Sequence, residues 1–148
     1  MENSSTKDRP SVSFTRHYNA APEKVWRAWT DPEALAHWFG PAPEGVVSIA
    51  DMDVRVGGHY HIRFGVPGDE EHDVSGVYQE VVRNRKLVFS WSWKSTPERV
   101  SLVTVTLQPS GAGTELTFVH EKFYDQAARD DHNKGWAGAF AKLDLLLA

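Results

Sequence analysis

A run of short segments with alternating apolar and polar residues, from Val46 to His120, is the feature that most limits how this chain can fold. Side chains that alternate with a period of two lie on opposite faces of a β-strand, so such segments are typical of strands with one buried face. The stretches between them have the length and the Gly, Asn, Asp and Pro content of hairpin loops. The sequence therefore predicts an antiparallel meander whose apolar face must be covered by another element.

The segments on either side of the meander predict the covering elements. Residues 11–18, SVSFTRHY, alternate as a first strand. Two short helices follow, because Pro22 suits a first helical position and Thr30 with Glu33 has the spacing of a capping box. From Asp125 to Leu147 apolar residues recur at helical spacing and form a stripe wide enough to dock on a sheet. We expect the sheet to wrap around this C-terminal helix.

Two glycines, Gly135 and Gly138, interrupt the predicted C-terminal helix. Each costs about 1 kcal/mol relative to alanine in a helix interior. A glycine at such a position usually lets another group approach closely, and here we expect that group to be either the sheet backbone or a ligand.

Composition indicates an ordinary globular domain and disfavours several classes of function. The 148 residues suit one domain, which we expect to span residues 11–148 after a disordered tail of residues 1–10. The formal net charge of −4 comes without a cluster of Lys and Arg, so we expect no nucleic-acid partner. The sequence contains no cysteine, so we expect no disulfides. It also lacks the apolar core of a signal peptide and any apolar segment long enough to span a membrane, so we expect a cytoplasmic protein.

Aromatic residues are unusually frequent, with six Trp, seven Phe and four Tyr. Many fall on the predicted inner strand face or on the stripe of the C-terminal helix. Such residues can form a plain core or line a cavity for an apolar ligand, and composition alone does not separate the two. We predict that the following residues contribute to a ligand site between sheet and helix: Trp38, Tyr60, Ile62, Tyr78, Phe89, Trp91, Trp93, Phe118, His120, His132, Trp136 and Phe140.

Three polar residues on the predicted inner face are candidates for ligand recognition or chemistry. His120 continues the apolar face of its strand, and it either gives a cavity a polar anchor or lies hydrogen-bonded at the rim of the core. Tyr78 needs a partner for its hydroxyl when buried, and a ligand is one such partner. Arg16 meets an acidic ligand group or, as we favour, pairs with a carboxylate at the sheet edge.

A histidine pair, His59 and His61, has the H-x-H spacing that puts both imidazoles on one face of a strand, as in some metal sites. Because Tyr60 and Ile62 are predicted to face inward, the two histidines face the outer surface. A metal there would need a third ligand, and His17 is the one candidate, so we predict no metal site. The sequence also lacks H-E-x-x-H, G-x-S-x-G and phosphate-binding glycine motifs, and we assign no cofactor and no catalytic residue.

Several motifs, in the order in which they occur, carry a resemblance to a known superfamily. They are APEKVWRAWTDPEALAHWFGP, DVRVGGHYHIRF, SGVYQEV, LVFSWSW, TELTFVHEKF and KGW, and together they resemble the START-like (SRPBCC) superfamily. From about Val12 to Leu147 the chain is most similar to the branch named for the C-terminal domain of the activator of the heat-shock-protein-90 ATPase. The resemblance implies an α+β helix-grip fold: a curved antiparallel sheet of about six to seven strands around a long C-terminal helix, with two short helices after the first strand.

Three functions are compatible with this resemblance, which implies a cavity that often holds lipids, polyketides or other apolar molecules. The leading expectation is a non-catalytic protein that binds an apolar or aromatic small molecule. The first alternative is a small enzyme of the cyclase type, for which His120, Tyr78 and Arg16 are the candidate residues. The second is a co-chaperone-like stress protein acting on the ninety-kilodalton heat-shock chaperone, although the further N-terminal domain of the eukaryotic co-chaperone has no counterpart in these residues. A monomer is slightly favoured.

Overall fold

The computed structural model describes residues 10–148. The elements are β1 (Val12–Tyr18), α1 (Pro22–Thr30), α2 (Pro32–Ala36), β2 (Val46–Met52), β3 (His59–Gly65), β4 (Glu71–Val82), β5 (Lys86–Trp93), β6 (Thr96–Ser110), β7 (Gly113–Glu121) and α3 (Gln126–Leu146). The tail predicted for residues 1–10 lies outside the described residues except for Pro10.

The strands form one antiparallel sheet in the order β1-β7-β6-β5-β4-β3-β2. Strands β2 to β6 each pair with the next strand in the sequence, as a meander requires. Strand β1 closes the other edge by pairing with β7, where Phe14 lies opposite Phe118. The predicted α+β fold, with its antiparallel sheet, two early helices and long C-terminal helix, is confirmed.

Helix α3 packs on the inner face of the sheet through aromatic side chains. The ring centroid of Trp136 lies 4.5 Å from that of Phe118 on β7 and 5.2 Å from that of Trp91 on β5. One turn later along the helix, Phe140 stacks on Phe14 of β1 at 4.9 Å. These rings come from strands between the β1 edge and the centre of the sheet, so the helix contacts several strands and the buried face is shared by sheet and helix.

The start of the second short helix differs from the prediction. Asp31 is the N-cap of α2, because its carboxylate accepts a hydrogen bond from the backbone N–H of Glu33. Thr30 instead ends α1 and donates its hydroxyl to the carbonyl of Trp26 at 2.8 Å. The predicted capping role of Thr30 was therefore wrong, although the break between the two helices falls at the predicted place.

Two strand ends also differ from the prediction. Strand β2 ends at Met52 and not at Val56, because residues 53–58 form a turn in which Gly57 adopts a φ of 85°. Strand β6 already begins at Thr96, which pairs with the last residue of β5. The predicted loop KSTPE is thus only a two-residue turn, Lys94 and Ser95.

The histidines of the predicted outer face do not form a metal site. The Nε2 atom of His61 lies 2.7 Å from a carboxylate oxygen of Asp73, and that of His17 lies 3.2 Å from the carbonyl oxygen of Ser110. Four strands separate β1 from β3 in the sheet order. Within residues 10–148 no three His, Asp or Glu side chains come together as a metal site would need.

None of the helices described here combines the length and apolar character needed to cross a membrane.

Arg16 forms an ion pair, as favoured from the sequence, but its partner lies on the terminal helix and not at the sheet edge. The Nε atom of Arg16 lies 3.2 Å from Oδ2 of Asp144, and the hydroxyl of Tyr18 donates to Oδ1 of the same carboxylate at 2.7 Å. Burial raises the pKa of the Tyr18 phenol, and its hydrogen bond to Asp144 raises it further. This polar cluster ties the end of α3 to the edge strand β1.

Candidate functional site

A cavity of about 740 Å³ lies between one end of the sheet and helix α3. This volume falls in the range of about 300–1,000 Å³ that is typical of small-molecule sites. The end of β3, the start of β4, the β5–β6 turn, the loop after α2 and one face of α3 form its walls. The lining residues are Phe39, Gly40, Pro41, Phe64, Glu70, Glu71, His72, Asp73, Trp91, Trp93, Lys94, Ser95, Asp131, His132, Gly135, Trp136 and Ala139.

The structure divides the residues predicted for a ligand site into two groups. The cavity wall contains Trp91, Trp93, His132 and Trp136. The others are buried in the core and do not line this cavity: Trp38, Tyr60, Ile62, Tyr78, Phe89, Phe118, His120 and Phe140. That any of these residues contacts a ligand stays a prediction.

Three aromatic residues of the wall were missed as site residues. Phe64 lies 5.2 Å from Phe39 and 5.6 Å from His72 between ring centroids, so the three form one continuous side of the cavity. Phe64 continues the inward alternation of β3 and was recognisable as an inner residue, but nothing in the pattern placed it next to open space. His72 belongs to the polar stretch GVPGDEEHD, which reads as a loop although β4 begins at Glu71.

The two glycines of α3 have different surroundings, and neither borders the sheet backbone. A Cβ atom on Gly138 would lie 2.4 Å from the carbonyl oxygen of Pro41, so the close approach is made by the loop after α2. A Cβ atom on Gly135 would meet nothing within 4 Å, because this glycine faces the cavity. A close approach is therefore present at Gly138, where the neighbour is a loop and not the sheet backbone, whereas the approach of a ligand to Gly135 stays a prediction.

His120 is fully buried, and both of its ring nitrogens have protein partners. The indole N–H of Trp136 donates to Nδ1 at 3.0 Å, which leaves the proton of a neutral ring on Nε2, 2.7 Å from the hydroxyl oxygen of Ser101. The Ser101 hydroxyl in turn donates to the carbonyl of Trp91 at 3.3 Å. Burial lowers the pKa of His120 well below its ordinary value, and the nearby His132 adds to the effect. His120 is thus a satisfied core histidine that supports the cavity wall from behind.

His132 lies on the wall itself and is held in one neutral form. The indole N–H of Trp93 donates to its Nε2 at 3.0 Å, while its Nδ1 donates to the carbonyl of Ala128 at 2.7 Å. Burial lowers the pKa of His132, and the hydrogen bond to Ala128 opposes this in part. The imidazole therefore presents an uncharged ring to the cavity and fixes the orientation of Trp93.

The three candidate residues for an enzyme do not meet on the cavity wall. His120 lies behind it, and Arg16 is paired with Asp144 near the other end of α3. Tyr78 is buried beside Tyr60, with ring centroids 5.5 Å apart, and burial raises the pKa of its hydroxyl. The largest side chains that line the cavity are aromatic.

The buried His120 leads to an expected pH dependence of stability. Because the pKa of His120 is lower in the folded chain than in the unfolded chain, the unfolded chain binds a proton that the folded chain does not. The stability of the fold is therefore retained above about pH 6.5, the ordinary pKa of histidine, and is lost as the pH falls below it. The free energy of unfolding should fall by about 1.4 kcal/mol per pH unit between the unfolded and folded pKa values of His120. Urea denaturation at about pH 7.5 and about pH 5.5 measures this slope. A variant His120→Met should show a smaller slope, and equal slopes in the two proteins would contradict the assignment.

Comparison with known proteins places this architecture in a family. Residues 19–148 match the family model described as Activator of Hsp90 ATPase homolog 1-like protein. The human protein named activator of 90 kDa heat shock protein ATPase homolog 1 is 27% identical over 106 residues, which are 71% of this chain and only 27% of the human protein. Two bacterial crystal structures have the same fold over nearly their whole length. Protein CV1439 from Chromobacterium violaceum has a TM-score of 0.84 and 28% identity, covering 93% of this chain and 96% of its own.

The second structure gives a similar result. Protein NE0264 from Nitrosomonas europaea has a TM-score of 0.78 and 26% identity, covering 93% of this chain and 94% of its own. The residues that match the family model include strands β2 to β7, the cavity lining and the terminal helix. The chain therefore belongs to the Activator of Hsp90 ATPase homolog 1-like family, a branch of the START-like superfamily.

Proposed function

We propose that this protein binds an apolar or aromatic small molecule, such as a lipid or a polyketide, in the cavity between the sheet and helix α3. The single observation that carries the proposal is an open volume of about 740 Å³ bounded by the rings of Phe64, Trp91, Trp93 and Trp136. Aromatic side chains supply large apolar surface, and its removal from water on binding is favourable in proportion to its area.

Contacts within the protein hold the walls of the cavity in place, which supports the same proposal. Trp93 is hydrogen-bonded to His132, and Trp136 is hydrogen-bonded to His120. On the opposite side, the loop residue Pro41 packs directly against Gly138 of α3. A site whose side chains are already ordered loses less conformational entropy on binding, so more of the contact energy becomes affinity.

Filling the cavity from the helix tests this proposal. Because nothing lies within 4 Å of a Cβ atom on Gly135, the side chain in Gly135→Leu extends into open space. We expect the fold to remain intact and the affinity for a neutral apolar probe such as 2-naphthylmethanol to fall by about tenfold or more. Isothermal titration calorimetry measures the affinity, and thermal unfolding followed by circular dichroism checks the fold.

The matched control is Ala137→Leu, which adds the same kind of bulk at an exposed position of the same helix. Its affinity for the probe should equal that of the parent protein. Equal probe affinities in the parent and in Gly135→Leu would show that binding occurs elsewhere and would contradict the proposal.

A second candidate is action on the ninety-kilodalton heat-shock chaperone, and it comes from the name of the human relative. This chain matches 27% of that protein, so the activity of the whole protein does not follow from the match. Direct binding to the purified chaperone together with stimulated ATP hydrolysis would support this candidate, and no stimulation would exclude it. The cytoplasmic location and the monomeric state remain predictions from the sequence.

A further inference from the structure

We infer that the cavity selects an aromatic molecule that carries a positive charge, such as a protonated amine or a quaternary ammonium group, over neutral and anionic molecules of the same shape. This inference rests on the proposed function and names the chemical class of its ligand. Three features of the cavity lead to it: the mutual inclination of its indole rings, the engagement or burial of the N–H groups of its tryptophans and of His132, and the charges at its mouth.

The indole rings that line the cavity are inclined to one another at different angles. Trp91 and Trp93 are nearly perpendicular, with an interplanar angle of 88° at 5.4 Å, while Trp91 and Trp136 are inclined by 49° at 5.2 Å. The faces of aromatic rings carry partial negative charge, and tryptophan attracts a cation most strongly. An arrangement of this kind can stack a flat apolar group and also surround a cation that has lost part of its hydration shell.

Hydrogen-bond donors that an anion would need are already engaged in this wall. The indole N–H of Trp93 donates to His132, and that of Trp136 donates to His120. His132 uses its own N–H on the carbonyl of Ala128. The N–H of Trp91 has no partner among the described residues, but it is buried beneath the cavity surface and not exposed on it. The three tryptophans and His132 therefore offer an anion neither a positive charge nor an accessible donor, and the other side-chain donors of the lining are those of His72, Lys94 and Ser95.

Charge at the cavity mouth favours a cation. Among the lining carboxylates, Asp73 lies 3.3 Å from the guanidinium of Arg63 and also bonds His61, so its charge is balanced on the outer face. Another lining carboxylate, that of Glu71, lies 3.9 Å from the same guanidinium. Glu70 and Asp131 form no ion pair within residues 10–148, and one ammonium group, that of Lys94, also lines the cavity.

The net charge of these three unpaired groups is negative. A cation at the mouth is therefore attracted, and the attraction should weaken as salt screens it.

Three probes that share one ring system test the inference directly. We would measure by calorimetry, at low salt, the affinities of (naphthalen-2-yl)methyltrimethylammonium, 2-naphthylmethanol and 2-naphthoate. The ammonium probe should bind about tenfold more tightly than the alcohol, and the carboxylate should bind most weakly. An alcohol or carboxylate that binds as tightly as the ammonium probe would overturn this inference while leaving the proposed function in place. If none of the three binds, both are overturned.

Removing the charges at the mouth separates their effect from that of the rings. In the double variant Glu70→Gln and Asp131→Asn, the ammonium probe should lose about threefold to tenfold in affinity while the alcohol keeps its own. The control variant Glu115→Gln removes a carboxylate from the outer face of β7, and both affinities should stay as in the parent. An unchanged ammonium affinity in the double variant, or an equal loss for the alcohol, would contradict the role given to these two carboxylates.

Discussion

Replacing His120 by alanine is expected to lower the free energy of unfolding by about 3–5 kcal/mol. The imidazole is fully buried, so the substitution leaves a void between β7 and α3. It also removes the acceptor for the Trp136 N–H and the partner of the Ser101 hydroxyl, which leaves buried polar groups unsatisfied. Urea denaturation of the two proteins, followed by circular dichroism near pH 7.5, measures the difference.

A milder variant checks that the hydrogen-bond network, and not the void alone, carries this effect. Ser101→Ala keeps the imidazole and removes one partner, so we expect a loss of about 1–2 kcal/mol. A loss below about 1 kcal/mol for His120→Ala would mean that this histidine is not part of the packed core. That result would favour the alternative in which His120 is a polar anchor for a ligand.

The second large effect is expected at Gly138. In Gly138→Ala the new methyl group would lie 2.4 Å from the carbonyl oxygen of Pro41, well inside contact distance. The loop after α2 or the helix must move, and we expect a net loss of about 2–3 kcal/mol despite the higher helix propensity of alanine. Thermal unfolding of the variant provides the measurement, and the affinity for a naphthalene probe should also fall because Pro41 forms part of the wall.

Gly135→Ala makes the same chemical change three residues earlier on the same helix. Nothing lies within 4 Å of the added methyl group, so only the helix propensity changes and stability should rise by about 0.5–1 kcal/mol. The two substitutions are thus expected to have opposite signs. Losses of similar size in both variants would contradict the packing of the loop against α3.

Much of the fold was predictable because the two-residue alternation of apolar and polar residues along each strand decides which side chains are buried. On β3 the alternation predicted inward positions for Tyr60, Ile62 and Phe64, and all three are buried. The start of α2 was harder, because Thr30 and Asp31 are adjacent and both residue types cap helices well. Only the hydrogen bond from the Glu33 N–H shows which of them does so.

The cavity was predictable in its general location but not in its residues. Alternation reports which face a side chain occupies, and it says nothing about how far along the strand the helix covers that face. Phe89 and Trp91 share one face of β5, yet Phe89 packs against Tyr60 while Trp91 reaches the open end beside α3. Which residues line the cavity therefore depends on where the loop after α2 and helix α3 leave space, and tertiary packing determines that.

Tryptophan indole signals in ¹H–¹⁵N NMR spectra test the central claim most directly. The chain has six tryptophans, of which Trp91, Trp93 and Trp136 line the cavity, and assignment by single Trp→Phe variants is straightforward. During titration with (naphthalen-2-yl)methyltrimethylammonium or 2-naphthylmethanol, these three signals should shift and saturate together. The other signals, from Trp26, Trp29 and Trp38, should move little. Saturable shifts confined to the second group, or no saturable shift in any indole signal, would contradict a ligand site in this cavity.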